Sequence, residues 1–217
     1  MLLYFRGSMR PYLVKTPRLL KALYNQCIWH INEPANSVYL TFDDGPHPEV
    51  TPFVLDQLAQ FKAKATFFCI GKNVVSHPEI FERVLAEGHA VGNHTHNHLN
   101  GWKTDNLRYF RNIKIAARHI QSSIFRPPYG RITYSQAEGL QRMNPHMKII
   151  MWDVLSGDFD TELSGEACLQ NVIDSAKPGS IVVFHDSQKA FARLEYALPR
   201  FLAHCREQGW NLKKLNM

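Results

Sequence analysis

Two adjacent carboxylates, Asp43 and Asp44, sit in the run Thr41-Phe42-Asp43-Asp44-Gly45-Pro46-His47. They follow the apolar stretch Val38-Tyr39-Leu40, which reads as a buried strand, and a Gly-Pro turn ends it. Like charges side by side repel, so a strand end that carries them needs something to offset them. A bound cation does so. Fifty residues after Asp44, the run His94-Thr95-His96-Asn97-His98 offers neutral nitrogen donors. One Asp and two His form a ligand set for a catalytic metal with an open position, and the second carboxylate is left for proton transfer. The histidines allow two readings. On an extended strand, positions 94, 96 and 98 share one face; on a helical turn, only 94 and 98 do.

The elements that must position these groups are short. Apolar runs predict strands at Val38–Phe42, Ala65–Ile70, His89–Asn93, Ser123–Phe125, Lys148–Val154, Ser180–Phe184 and Trp210–Leu212. Helical patterns lie between them, at Pro52–Phe61, Pro78–Glu87, Asn106–Gln121, Glu166–Ala176 and Ala192–Gln208. Pro199 is expected to kink or split the last of these. Alternating strands and helices predict an α/β fold with a mainly parallel sheet, open or closed into a barrel. The unusual residues cluster in this pattern. Asp43-Asp44, His94, Arg126, Asp158 and His185 each follow a predicted strand. In a parallel sheet the C-terminal strand ends lie on one side, so these positions converge on one pocket.

The chain has 217 residues, 45% of them hydrophobic and 20% charged, which bounds it to one globular domain with a sizeable core. No apolar run approaches the roughly 20 residues a membrane helix requires. The net charge is +6, but no Lys/Arg run marks a nucleic-acid surface. Cys27, Cys69, Cys168 and Cys205 are scattered and read as buried thiols, not as disulfides. The first residues lack the basic-then-apolar order of a signal peptide, which favours the cytoplasm. Residues 1–36 are expected to be an N-terminal extension, with Arg10–Trp29 a basic amphipathic helix packed on the domain; Leu3–Ser8 could belong to an expression tag. The sequence leaves the oligomeric state open.

Five motifs, in order over about residues 37–187, resemble the polysaccharide deacetylase family (the NodB-homology domain). They are Thr41-Phe42-Asp43-Asp44-Gly45-Pro46; His94-Thr95-His96-Asn97-His98; Arg126-Pro127-Pro128-Tyr129-Gly130; Ser156-Gly157-Asp158-Phe159; and Val183-Phe184-His185. The fourth departs from the family's Asp-Ser-x-Asp-Trp: Leu155 replaces the first Asp and Phe159 the Trp. The resemblance implies a distorted (β/α) barrel of about seven parallel strands, in a single domain over 37–217.

It also implies metal-assisted hydrolysis. Asp44, His94 and His98 would hold a divalent cation, zinc first, with cobalt, nickel or iron as alternatives, and His96 would lie beside the pocket. Asp43 would take a proton from water and Arg126 would orient Asp43. The Tyr129 N–H would donate to the oxyanion, His185 would protonate the leaving amine, and Asp158 would fix the His185 tautomer. Phe159 could still pack on the His185 ring. Trp152, Tyr129 and Trp102 are either sugar-stacking walls or core; Asp153 reads as a strand-end residue, and Asp186 is left unassigned. The implied reaction removes acetyl from N-acetylglucosamine in chitin- or peptidoglycan-type oligo- or polysaccharides. The alternatives are an O-acetyl ester or small-amide hydrolase on the same site, or a silent carbohydrate-binding protein.

Overall fold

The computed structural model describes residues 12–32 and 36–216; the segment Leu3–Ser8 lies outside them. Nine strands form one sheet: β1 Cys27–Ile28, β2 Ser37–Asp43, β3 Thr66–Cys69, β4 Ala90–Asn93, β5 Ile124–Phe125, β6 Lys148–Ile150, β7 Val154–Leu155, β8 Ile181–His185 and β9 Asn211–Lys213. Their order is β1-β6-β5-β4-β3-β2-β8-β7, with β9 beside the start of β2, and every pairing between them is parallel. The helices are α1 Arg18–Leu23, α2 Val50–Gln60, α3 Gly71–Ser76, α4 Pro78–Ala86, α5 Asn106–Ala116, α6 Tyr134–Met143, α7 Gly165–Ser175 and α8 Phe191–Glu207. The chain is therefore a distorted parallel (β/α) barrel.

All seven residues of β2 are buried, because the sheet is covered on both sides. Val38, Leu40 and Phe42 face the helix layer, where Phe42 stacks between Phe67 and Phe184 at 5.1 and 6.2 Å. Tyr39, Thr41 and Asp43 alternate to the barrel interior.

Several elements differ from the sequence expectation. The run expected as one strand over Lys148–Val154 is two, β6 and β7. Between them the chain leaves one neighbour for another: the Met151 N–H bonds to the Ile28 carbonyl at 2.8 Å and the Asp153 N–H to the Ile181 carbonyl at 3.0 Å. The seam so opened is bridged by the segment after residue 26. Here β1 pairs with β6, and His30 forms an antiparallel bridge to Ser180. The helix expected over Arg10–Trp29 is confined to α1, since Cys27–Ile28 is committed to the sheet and Trp29 is buried. Pro199 does not split α8, a continuous helix of 17 residues held by the buried face Ala197, Leu198, Phe201, Leu202 and Cys205. Helices α3 and α6 were not anticipated. Thr133 starts α6 with a reciprocal cap to Gln136. All four cysteines are buried free thiols.

Candidate active site

The eight predicted site residues lie at the C-terminal ends of the strands or in the loops that follow them. Asp43 ends β2, opposite His185 of β8 and Phe68 of β3 in register. Asp44 turns the chain out of the sheet with φ of 84°. Its carbonyl accepts from Asn73 Nδ2 at 2.7 Å. The next peptide N–H, that of Gly45, donates to Asp186 Oδ1 at 3.0 Å. A Cβ on Gly45 would stand 2.0 Å from Asp186 Oδ2, so only glycine fits this turn. The other oxygen of Asp186 accepts from Thr51 Oγ1 at 2.5 Å. Burial pushes the Asp186 carboxyl up to about 8, against that hydrogen bond. Asp186, which the sequence reading left unassigned, is thus the brace of the two-carboxylate turn.

Asp44, His94 and His98 bring three donor atoms within 4.8 Å of one another. Asp44 Oδ1 is 3.1 Å from His98 Nε2 and 3.7 Å from His94 Nε2. The convergence comes from a folded loop, not a helix. Thr95 N–H donates to Asn93 Oδ1, and both His96 N–H and Asn97 N–H donate to Asn112 Oδ1, at 2.9, 2.8 and 2.9 Å. Thr95 and His98 take φ of 61° and 54° to complete the reversal. Left-handed backbone at Asp44, Thr95, His98 and Tyr129 concentrates strain at this one place. His96 is not in the cluster; its Nδ1 is buried without a hydrogen bond, on the Gly71 and Ala116 side of the loop.

The three donors fit a cation. His94 Nδ1–H donates to the Arg126 carbonyl at 2.8 Å, which leaves the Nε2 lone pair facing Asp44. Burial pushes His94 down to about 4, so it stays neutral. Asp44 Oδ1 is buried and makes no hydrogen bond. Burial disfavours its charge, yet the contact with His98 and the proximity of His185 and His94 hold the carboxyl well below the usual range. A buried anionic oxygen facing a nitrogen lone pair is repulsive unless a cation lies between them.

Arg126 is fully buried in the barrel interior. Its Nη1 donates to Asp43 Oδ1 at 2.7 Å and to Thr41 Oγ1 at 2.8 Å; Nε and Nη2 donate to the carbonyls of Ile150 and Met151. The guanidinium also lies 4.0 Å over the Phe68 ring. Each face and edge is engaged, so Asp43 meets a cation that cannot move away. Pro127 and Pro128 then lead into a short 3₁₀ turn, where Tyr129 has φ 60° and its ring stands 4.5 Å from that of His98. The Tyr129 side chain is 60% exposed.

On the opposite wall, His185 Nδ1 and Asp158 Oδ1 are 2.7 Å apart, and the His185 backbone N–H donates to Asp158 Oδ2 at 2.7 Å. Asp158 is fully buried. Burial disfavours the imidazolium, but Asp158 outweighs it and lifts His185 to about 9. Phe159 packs edge-on against the His185 ring at 5.2 Å, and Tyr12 packs edge-on against Phe159 at 5.0 Å. A residue of the N-terminal segment therefore backs the motif that departs from the family pattern.

Asp43, Asp44, His98 and His185 open into one cavity of about 760 Å³, together with Tyr129, Trp102 and Trp152. Tyr12, Leu13, Leu20, Tyr24 and Trp29 line the same cavity. Sequence reasoning missed this wall, because a basic, leucine-containing stretch reads as a helix packed on its apolar face.

The polysaccharide deacetylase family model matches residues 30–146, more than half of the chain. Asp158 and His185 lie after the matched region and the Tyr12–Trp29 wall before it. A peptidoglycan-N-acetylglucosamine deacetylase of Bacillus cereus is 32% identical over 188 residues, covering 84% of this chain and 87% of that protein. A chitooligosaccharide deacetylase of Azorhizobium caulinodans is 35% identical over 167 residues, covering 72% and 76%. Further relatives are longer, and this chain spans 56% and 40% of two of them. The crystal structure of a peptidoglycan N-acetylglucosamine deacetylase in complex with 4-naphthalen-1-yl-N-oxidanyl-benzamide superposes with a TM-score of 0.77 at 30% identity, covering 88% of this chain and 91% of that one. Fold, motif order and sequence agree: the chain belongs to the polysaccharide deacetylase family.

Proposed function

We propose that this protein is a metal-dependent deacetylase that removes acetyl groups from N-acetylglucosamine residues of chitin- or peptidoglycan-type oligo- or polysaccharides, releasing acetate. One observation carries the reading. A carboxylate locked on a buried arginine and an imidazole locked on a buried carboxylate share one cavity with a three-donor cation cluster. Named relatives act on peptidoglycan N-acetylglucosamine and on chitooligosaccharides, which supports the substrate class.

Asp44, His94 and His98 would hold the cation. Two imidazoles and one carboxylate suit zinc, and cobalt, nickel and iron can share such a set. A cation there polarises the acetyl carbonyl and acidifies water. Asp43 takes a proton from the attacking water, whose oxygen joins the acetyl carbon. Arg126 aims Asp43 through the bond from Nη1 to Oδ1. The Tyr129 N–H donates to the carbonyl oxygen as negative charge grows on it. His185, with Nδ1 on Asp158, presents Nε2–H to the sugar nitrogen and protonates it as the C–N bond breaks. Trp102, Tyr129 and Trp152 offer ring faces for the sugar.

The test is acetate release from N-acetyl-chitooligosaccharides with zinc or cobalt added and with a chelator, using Asp43→Asn as control. Metal-dependent acetate from the wild type alone supports the reading. No acetate from protein that still binds metal overturns it for these substrates.

A further inference from the structure

We propose that Asn73 and Asp186, two side chains outside the catalytic set, clamp the Asp44–Gly45 peptide at its two polar ends and thereby set the affinity of Asp44, His94 and His98 for their cation. The inference rests on the reading of those three donors as a metal centre and adds the positioning residues that aim its carboxylate.

The left-handed backbone at Asp44, φ 84°, turns this peptide out of the sheet, so its C=O and N–H need partners other than the strand ladder. Side chains supply both. Asn73 Nδ2 donates to the Asp44 carbonyl at 2.7 Å, and Asp186 Oδ1 accepts from the Gly45 N–H at 3.0 Å. With both ends held, the strained backbone of Asp44 cannot relax, and its Oδ1 stays 3.1 Å from His98 Nε2 and 3.7 Å from His94 Nε2. Asp186 is itself buried and fixed. Thr51 Oγ1 donates to its Oδ2 at 2.5 Å while accepting from the His47 N–H at 2.8 Å. The Asp186 backbone N–H donates to the Asp43 carbonyl at 3.0 Å, so one residue meets the chain on both sides of Asp44.

Asn73 also ties the carboxylate turn to the histidine loop. It sits on α3, whose first residues meet that loop directly. The Gly71 N–H donates to the Thr95 carbonyl at 2.9 Å and the Lys72 N–H to the His96 carbonyl at 3.1 Å. One short helix thus holds the loop that carries His94 and His98 and, through Asn73, the turn that carries Asp44. Asp186 holds the same turn from the end of β8. Neither Asn73 nor Asp186 lines the cavity, so both act through Asp44 and not on the substrate. Partners that orient a metal ligand are typically worth about 10–100-fold in metal affinity.

The experiment titrates zinc into metal-free protein in competition with a chromogenic chelator. It compares the wild type with Asn73→Ala, Asp186→Ala, Asp186→Asn and the double alanine variant, and records the melting temperature of each metal-free protein. Each single alanine variant is expected to raise the zinc Kd about 10–100-fold. Asp186→Asn is expected to stay within about threefold of wild type, because its amide oxygen accepts from the Gly45 N–H and its Nδ2 donates to a lone pair of Thr51 Oγ1. The double variant is expected to lose less than the product of the single losses, since both side chains hold one peptide. Unchanged Kd values in the alanine variants overturn the proposal. Equal losses in Asp186→Ala and Asp186→Asn assign the effect to charge and overturn it. Losses that multiply in the double variant show two independent contacts and overturn it too. If Asp186→Ala does not fold, the part-buried Asn73 decides: weaker zinc binding by Asn73→Ala supports the clamp, and unchanged binding refutes it. A wild type without zinc affinity removes the metal centre and the clamp with it. Binding is read here and not turnover, so these outcomes are separate from the acetate-release test of the deacetylase reading.

Discussion

Replacing Asp158 by Asn separates charge from shape at the proposed acid. The amide keeps the volume of the carboxylate and can still accept the His185 Nδ1–H, but it carries no charge. In the folded wild type, His185 lies at about 9 against an ordinary 6.5. That difference corresponds to about 3 kcal/mol in favour of the imidazolium. A cation on Asp44 offsets the part that Asp44 contributes, so the Asp158 contact is what persists in the loaded enzyme. Without it, burial is the largest remaining influence on His185 and lowers it, opposed only by the smaller pull of the nearby carboxylates such as Asp43. At pH 8 the protonated fraction then falls from most molecules to a few per cent, and kcat falls about 30-fold. At pH 5.5 the two proteins differ by less than about threefold. The assay is initial acetate release at saturating substrate from pH 5 to 9.5, with metal content measured alongside. A uniform loss across the range, or a basic limb that does not move, refutes the assignment of His185 as acid and Asp158 as its partner. The same pair links pH to stability. The folded value is raised, so its contribution is complete below about 6.5 and is lost as pH rises through about 9.

Asp43→Asn is expected to retain bound metal while kcat drops at least about 100-fold, since a general base contributes on that scale; metal content together with acetate release reads both. His98→Ala should lower metal occupancy, whereas His96→Ala should leave it unchanged, as measured by elemental analysis after dialysis. Equal loss in both variants would show that the position of His96 outside the cluster is not the functional one. Asp153→Asn should cost about 2 kcal/mol in denaturant unfolding at neutral pH. The lysines Lys15 and Lys21 hold this carboxyl at about 2 against an ordinary 3.8, despite its burial. That contribution is present above about 3.8 and lost as pH falls through about 2, so wild type and variant should converge in strong acid.

The carboxylate turn and the histidine run were legible because their chemistry is local. Asp43-Asp44-Gly45-Pro46 and His94 to His98 each place their groups through a few residues of backbone. Strand assignment was legible wherever a strand is buried on both faces, as β2 and β8 are. Partnerships across the chain were not. Nothing in the spacing shows that Asp186 braces Gly45, 141 residues away, or that Thr41 shares the guanidinium of Arg126. The split of Lys148–Val154 was hidden for the same reason, since an apolar run reports burial and not which neighbour takes the hydrogen bonds. The arm was misread because amphipathic pattern assumes the apolar side faces inward, whereas Asp153 draws the lysines inward instead.

The bridging of the barrel seam has a consequence for synthesis. β1 is made early, yet its partner Ile149 follows Cys27 by more than a hundred residues, and Lys15 waits 138 residues for Asp153. Closing so long a loop is entropically costly and slow, so local helices and neighbouring βαβ units form first. On the ribosome, the edge of β1 stays uncovered until β6 has emerged, and an uncovered strand edge is a template for pairing with another chain. The N-terminal segment that borders the pocket thus also carries an edge that waits for its partner. Nascent chains in which it docks late are the ones exposed to intermolecular β-pairing, and chaperone demand should rise with any substitution that weakens the Asp153 anchor.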